Sequence, residues 1–511
     1  MSGALAGLLF GDGRDADAPA VHDAAGTTSI GDLRERADDV AAALREAGVG
    51  DGRPVVVMLP NRADVVATLF GVWRAGGVYV PLNPRLTERE VAHVLESVRP
   101  AAGVTTSEHR ARLTALPTVV LDDRSSPVVE GVDRVAPSKA DQDADTALVQ
   151  FTSGTTGRPK PVLLTHDGVL ELLDGVIGTV RGKGKGTGKD GDDTPKRPPM
   201  PNLIPVSLSL WAGIYQVLFA FRVGAPIIVM DRFDPTSFAA LVREHQIRST
   251  VLPPAAMTML CDEPTVTDLA PLKYVRSITA PLSPLQARRF RDQFGLAVLN
   301  GYGQTEIGGE IVGWSGPDTK EWGDTKLGSV GRPHRGVQVR AVDEDGVTQA
   351  PDESGELWVL TPALSAGYAD GNDLGDRLSP DGWFRTGDVG RVDADGFVWI
   401  EGRVSDMINR GGLKVYPEEV ADVLRLSPAV AEAAVVGVPD DRLGEVPWAF
   451  VVPTDPAAPP ADDDLAALAR DHLAPYKVPV RYEVIDELPR NEVGKVRAPD
   501  LLARARGVAE P

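Results

Sequence analysis

The stretch Phe151-Thr152-Ser153-Gly154-Thr155-Thr156-Gly157-Arg158-Pro159-Lys160 is rich in hydroxyls and glycine and ends in a cation, directly after the strand-like Ala147-Leu148-Val149-Gln150. A loop of that make-up can wrap a polyphosphate: glycine lets the backbone approach an anion, peptide N–H groups and small hydroxyls donate to its oxygens, and the lysine adds a positive charge. It is not a Walker A loop, because no Gly-Lys-Ser/Thr follows the required four-residue spacer. A second segment, Asn300-Gly301-Tyr302-Gly303-Gln304-Thr305-Glu306, follows the apolar Leu296-Ala297-Val298-Leu299 and sets a flat ring and a carboxylate at a strand end. Tyr302 can pack on a purine, and Glu306 offers the oxygen ligand that a hard ion such as Mg²⁺ prefers. A third segment, Trp383-Phe384-Arg385-Thr386-Gly387-Asp388, carries an aspartate able to accept from both hydroxyls of a ribose. The fourth runs from Gly402-Arg403-Val404-Ser405-Asp406-Met407-Ile408 into Asn409-Arg410-Gly411-Gly412-Leu413-Lys414-Val415-Tyr416-Pro417. The fifth, Pro489-Arg490-Asn491-Glu492-Val493-Gly494-Lys495-Val496, puts a lysine just after a glycine turn. Taken singly, each segment has an ordinary explanation as a surface turn, a solvated carboxylate or an exposed lysine.

The elements around these segments are those of a parallel sheet covered by helices. Ser29 and Asp32 have the spacing of a capping box, Leu33, Ala37, Val40 and Leu44 follow at helical intervals, and Gly48 supplies a stop. Val55-Val56-Val57-Met58-Leu59 is a compact apolar run that predicts a buried strand, Val65 to Trp73 reads as helix, and Val78-Tyr79-Val80 returns to strand after Gly76-Gly77. Strand, helix, strand in that order favours a parallel sheet with ligands near the carboxyl ends of its strands, where the 152–160 loop begins. After roughly residue 404 the pattern turns to short strands mixed with short helices: Pro417 opens a helix, Ala433-Ala434-Val435-Val436 is a strand, and Leu465 to Leu473 is another helix. A separate, smaller domain is expected there. Residues 181–199 are dense in Gly, Lys and Asp and read as a surface loop. Gly186 to Gly191 satisfies a dinucleotide fingerprint, but with no strand before it and no amphipathic helix after it the match is a coincidence.

Composition narrows the partners. The chain has 511 residues, enough for about three domain-sized cores. Its 53 basic and 73 acidic residues give a formal charge of -20, which argues against nucleic acid or an anionic membrane as partner. A nucleotide must then be met by local dipoles and a few placed cations. The lone Cys261 rules out an intrachain disulfide framework, and the seven histidines show no paired metal-ligand spacing. With neither a signal-like N-terminus nor an apolar run of about 18 residues, a cytoplasmic protein without membrane insertion is expected.

In order and rough spacing the five segments resemble the motifs of the adenylate-forming ligases: acyl- and aryl-CoA synthetases, peptide-synthetase adenylation domains and beetle luciferases. The resemblance covers nearly the whole chain, since Asn61, Ala75 to Pro84, Gly355-Glu356-Leu357-Trp358 and Gly444-Glu445-Val446-Pro447 look like further signatures. It implies an α/β protein with a large N-terminal ATP- and acyl-binding domain of several helix-covered sheets over 1–404. A small mobile α+β domain over 405–511 would carry Lys495. It also implies two steps: a carboxylate attacks the α-phosphate of ATP, releasing pyrophosphate and leaving an acyl-adenylate, and a thiol then displaces AMP. By this resemblance Thr152, Ser153, Gly154, Thr155, Thr156, Gly157 and Lys160 hold the departing phosphates. Ala280 and Tyr302 lie at the nucleotide, Thr305 near the α-phosphate, Glu306 on Mg²⁺, and Asp388 and Arg403 at the ribose. Lys495 bridges the substrate carboxylate and the α-phosphate, Ser405 is the hinge of the small domain, and the Gly411-Gly412 loop lines the approach of the thiol.

Several positions depart from the family pattern. The gate histidine common in acyl- and aryl-CoA synthetases is missing from Val206-Ser207-Leu208-Ser209-Leu210. Ser207 stands where amino-acid-activating relatives place an aspartate, and a neutral hydroxyl cannot pair with an α-ammonium. Ile278 and Thr279 replace a pair of smaller residues and, with Ser207 and Leu208, shape the substrate pocket toward a small aryl, alicyclic or short-to-medium-chain acid. The expected function is an ATP-, Mg²⁺- and coenzyme A-dependent carboxylic acid:CoA ligase. The alternative acceptor is a carrier-protein phosphopantetheine, and a rival of another class is an inactive nucleotide-binding scaffold.

Overall fold

The computed structural model describes residues 4–122, 125–131, 142–143, 145–152, 159–181, 199–278, 282, 284–490 and 496–509. The expected helix spans Ile30–Glu46 and begins at the capping box: Asp32 N–H donates to Ser29 Oγ at 3.0 Å, and Ser29 N–H donates to the Asp32 carboxylate at 3.3 Å. The apolar run forms the strand Pro54–Met58, buried along its whole length. Its period of two sends alternate side chains into different cores. Val55 and Val57 join Leu33, Val40 and Phe70 on one face, whereas Val56 and Met58 meet Val91, Val94 and Val98 of the helix Glu88–Val98 on the other.

Seven strands make this sheet, in the order Val128–Glu130, Thr118–Val120, Ala102–Thr105, Pro54–Met58, Val78–Pro81, Thr146–Thr152, Lys160–Thr165. The inner pairings are parallel and the two outermost are antiparallel. The glycine- and hydroxyl-rich segment therefore leaves the carboxyl end of a parallel strand, as expected, and returns along an antiparallel edge strand, with Thr152 opposite Lys160. A parallel three-stranded sheet, Ser249–Val251, Tyr274–Ser277 and Ala297–Asn300, follows. Two antiparallel sheets come next, one containing Tyr302–Gln304 and Gly309–Gly313, the other ordered Gln338–Val342, Gly355–Leu360, Phe384–Val392, Val398–Arg403.

Beyond the short 3₁₀ turn Val404–Asp406 the chain builds a second unit with its own core. Its sheet holds Leu413–Val415, Ile408–Arg410, Gly444–Pro453 and Val430–Asp440, with Arg481–Val484 paired in parallel to residues 448–451. Val420, Leu424, Leu465 and Ala469 from two helices close over Ala433, Ala449 and Val451, and none of these belongs to the core of the large unit. The fold is thus mixed α/β with a large N-terminal and a small C-terminal domain. Among the described residues no helix is long and apolar enough to cross a membrane.

Candidate active site

A cleft of about 3120 Å³, lined by residues of both domains, collects most of the motif residues. It is several times the size of a pocket for one drug-like molecule, so a nucleotide and an acid can share it. Thr152 and Lys160 line it from the two ends of the edge hairpin, and the Lys160 ammonium sits 5.3 Å from the ring centroid of Tyr368. Ser153 to Gly157, between them, lie outside the described residues, as do Thr279, Ala280 and Lys495.

The ring comes from the start of a short strand, one carboxylate from the turn after it and the other from the middle of the strand Phe384–Val392. The segment Tyr302–Gln304 pairs with Gly309–Gly313 so closely that a Cβ on Gly303 would sit 1.6 Å from the Gly309 carbonyl oxygen. Only glycine is possible there, and the tight pairing turns Tyr302 inward. Tyr302 Oη donates to Asp388 Oδ2 at 2.6 Å, and Gln304 Nε2 donates to the same oxygen at 2.6 Å. The other oxygen, Oδ1, lies 2.8 Å from Arg403 Nε. Register explains the ion pair, because Asp388 and Arg403 face each other directly across the antiparallel strands Phe384–Val392 and Val398–Arg403. Burial, reinforced by the Asp388 charge, drives the Tyr302 hydroxyl well above the usual tyrosine range. It therefore remains a donor, and Asp388 is the acceptor on which three protein donors converge.

Glu306 lies in the turn Thr305–Ile307 and is mostly buried. Its Oε1 is 2.9 Å from Arg377 Nη1, while Nη2 of the same guanidinium donates to Gln304 Oε1 and to the Thr386 carbonyl, each at 3.0 Å. Arg377 and Gln304 thus tie the Glu306 turn to the Asp388 strand. Neither was singled out by sequence reasoning, since Arg377 sits in a polar loop with no motif of its own. Glu306 offers an oxygen ligand of the kind a hard ion prefers, with Oε1 facing Arg377 and Oε2 outside that ion pair.

Of the residues expected in the substrate pocket, Ser207 and Ile278 line the cleft, but Leu208 packs into the large core. The reason lies in Asn61: its Oδ1 accepts from Leu208 N–H at 2.9 Å and its Nδ2 donates to the Val206 carbonyl at 3.3 Å, fixing the loop with Ser207 outward and Leu208 inward. Ser405 lines the cleft as an exposed residue between the domains. Gly411 and Gly412 do not line it. They are the two loop residues of the hairpin whose strands pair Arg410 with Leu413, and both have positive φ, +61° and +88°, as the tight turn demands.

Residues 12–369 match the family described as AMP-binding enzyme, and residues 419–495 match the AMP-binding enzyme C-terminal domain. The chain belongs to the AMP-binding enzyme family. A feruloyl-CoA synthase of an Amycolatopsis species is 32% identical over 482 residues, covering 94% of each chain. The fatty acid–[acyl-carrier-protein] ligase ScoC of Streptomyces coeruleorubidus is 31% identical over 514 residues, 96% of this chain and 94% of its own. Among solved structures, ATP-bound MatB from Rhodopseudomonas palustris superposes with a TM-score of 0.87 at 27% identity over 100% of both chains. As an AMP-binding enzyme of the acyl-CoA synthetase type, the protein is an AMP-forming acid–thiol ligase.

Glu306→Gln keeps the shape of the side chain, and its Oε1 can still accept from Arg377, but the charge that a hard cation needs is lost. The Mg²⁺ concentration for half-maximal activity is expected to rise, with maximal activity lowered and the ligand-free melting temperature falling only modestly, because the neutral amide keeps the hydrogen bond to Arg377 but loses the charge pairing. A large drop in melting temperature with ordinary metal dependence would assign Glu306 to the fold instead.

Proposed function

We propose that the protein joins a small carboxylic acid to the thiol of coenzyme A, at the expense of ATP, through an acyl-adenylate formed in the cleft described above. The observation that carries this reading is the convergence of Tyr302, Gln304 and Arg403 on Asp388, beside Glu306 and in the same cleft as Thr152 and Lys160. A ribose reaches Asp388 with two hydroxyl donors; of the roughly four acceptor sites of a carboxylate, Tyr302, Gln304 and Arg403 take three, so the sugar takes the remaining site and one that these side chains give up. In the first step a carboxylate oxygen bonds to the α-phosphorus as the bond to the bridging oxygen breaks and pyrophosphate departs. Lys160 and Thr152, with Ser153 to Gly157, hold the leaving phosphates, and Thr305 lies near the α-phosphate. Mg²⁺ held by Glu306 would supply charge neutralisation at the phosphates. Lys495 stabilises charge as it moves between the carboxylate and the α-phosphate. In the second step the thiol sulfur bonds to the acyl carbon and AMP leaves. Rotation about Ser405 exchanges Lys495 for the hairpin bearing Gly411 and Gly412.

Similarity to ScoC supports a second acceptor, the phosphopantetheine arm of a carrier protein. One assay treats both. Pyrophosphate release is measured over a panel of small aryl, alicyclic and aliphatic acids, without acceptor, with coenzyme A, and with a phosphopantetheinylated carrier protein. Acid-dependent release with thioester accumulating on coenzyme A is the expected result. Thioester on the carrier alone reassigns the acceptor, and no release with any acid overturns the ligase reading.

A further inference from the structure

The acyl side of the cleft holds charged groups that neither reaction step uses. Glu310, in the strand Gly309–Gly313, lines the cleft and is buried. Its Oε1 is ion-paired with the Arg276 guanidinium and lies 3.5 Å from His334 Nε2. The three side chains crowd over Gly313, where an added Cβ would sit 2.5 Å from Glu310 Oε1, 2.9 Å from His334 Cε1 and 3.1 Å from Arg276 Nη2. Gly301, just before Tyr302, borders the same carboxylate: a Cβ there would be 2.9 Å from Glu310 Oε1 and 3.1 Å from Ile278 Cγ2. Glu310 is therefore beside Ile278, on the acyl side of the Tyr302 strand.

A second observation points to a ligand. Tyr215 also lines this cleft, one helical turn beyond Trp211, with its ring centroid 5.9 Å from that of Trp211. Trp211 in turn packs on Gly309, its Nε1 donating to the Gly308 carbonyl at 2.8 Å. The Tyr215 hydroxyl is buried and has no hydrogen-bond partner. It lies within range of the charges of both Glu310 and Arg276. An unpaired buried hydroxyl is costly, and of the tyrosine hydroxyls without a partner among the described residues this is the one that lines the cleft, so a partner supplied by a ligand is the economical explanation.

Building on the ligase reading, we propose that the acyl pocket selects an acid bearing a neutral hydroxyl at the end remote from its carboxylate, received by Tyr215 Oη and the Glu310 carboxylate. A hydroxyl both accepts and donates, matching the tyrosine O–H on one side and the carboxylate on the other, which retains acceptor positions beyond those facing Arg276 and His334. Arg276 already compensates the Glu310 charge, so an ammonium would bring an unpaired cation into a buried site, and a second carboxylate would face Glu310 directly. Apolar acids would leave the polar groups without partners.

The test compares matched acids that differ only in the distal substituent: para-hydroxy and unsubstituted arylcarboxylic acids, ω-hydroxy and unsubstituted aliphatic acids of equal length, and the amino counterparts. The readout is kcat/KM for pyrophosphate release by the full chain. The hydroxylated member of at least one matched set should be favoured on the order of 10⁴-fold, since a site built to hydrogen-bond a hydroxyl strongly rejects the analogue without it. Tyr215→Phe should shrink that ratio about tenfold. Equal or better use of the unsubstituted acids, preference for the amino acids of the sets, or a ratio unmoved by Tyr215→Phe overturns the inference while the ligase reading stands. Absence of release from every acid overturns both.

Discussion

Lys495→Ala is expected to slow acid-dependent pyrophosphate release by about a hundred- to a thousand-fold while sparing thioester formation from a supplied acyl-adenylate. The magnitude is that of losing one oriented charge contact at a site of developing charge. The asymmetry between the steps follows from its proposed position: it meets the α-phosphate only while that phosphate is under attack. Lys495 itself lies outside the described residues, but its flanks are informative. Arg490 pairs with Val496, Arg497 N–H donates to the Pro489 carbonyl at 2.8 Å, and both Arg490 and Val496 line the cleft. Single-turnover measurement of each half-reaction decides the matter. Pyrophosphate release within a few-fold of wild type, or equal slowing of both steps, would falsify the assignment.

Asp388→Asn should lower kcat/KM for ATP on the order of a hundredfold. The substitution keeps the size of the side chain but replaces an acceptor oxygen with a donating amide where Tyr302 Oη, Gln304 Nε2 and Arg403 Nε all donate. Whichever way the amide turns, a donor meets a donor. A fully buried pair broken from one side costs about 3–5 kcal/mol; the loss here is smaller because the Arg403 side chain is 33% exposed, and it is shared between apo stability and the proposed ribose contact. Both the ligand-free melting temperature and the ATP dependence should therefore move. If the melting temperature alone falls and the folded enzyme uses ATP normally, Asp388 is structural and the ribose lies elsewhere. An Arg403→Lys variant gives the graded control, because a lysine keeps the charge but loses the planar geometry of the guanidinium.

What the sequence determined by itself was whatever depends on neighbours in the chain. The capping box at Ser29, the buried strand Pro54–Met58, the helix opened by Pro417 and the separate C-terminal unit all follow from spacing of polar and apolar residues over a few positions. The proposed site residues drew notice for a related reason: Tyr302, Glu306, Asp388 and Arg403 fall in short, unusual strings of glycine, aromatic and charged residues. Resemblance then supplied their roles, which composition and periodicity could not. Only the tertiary structure decided which side chains meet. Arg377 reaches Glu306 across 71 positions, Tyr302 reaches Asp388 across 86, and Arg276 reaches Glu310 across 34. Arg377 and Glu310 consequently carry no local signal, because a guanidinium in a loop or a carboxylate in a strand reads as solvated until the facing element is known. The same applies to Leu208, which stands beside Ser207 in the chain but turns into the core. Asn61, 147 positions from Leu208, grips the backbone between them and fixes which of the two faces the cleft.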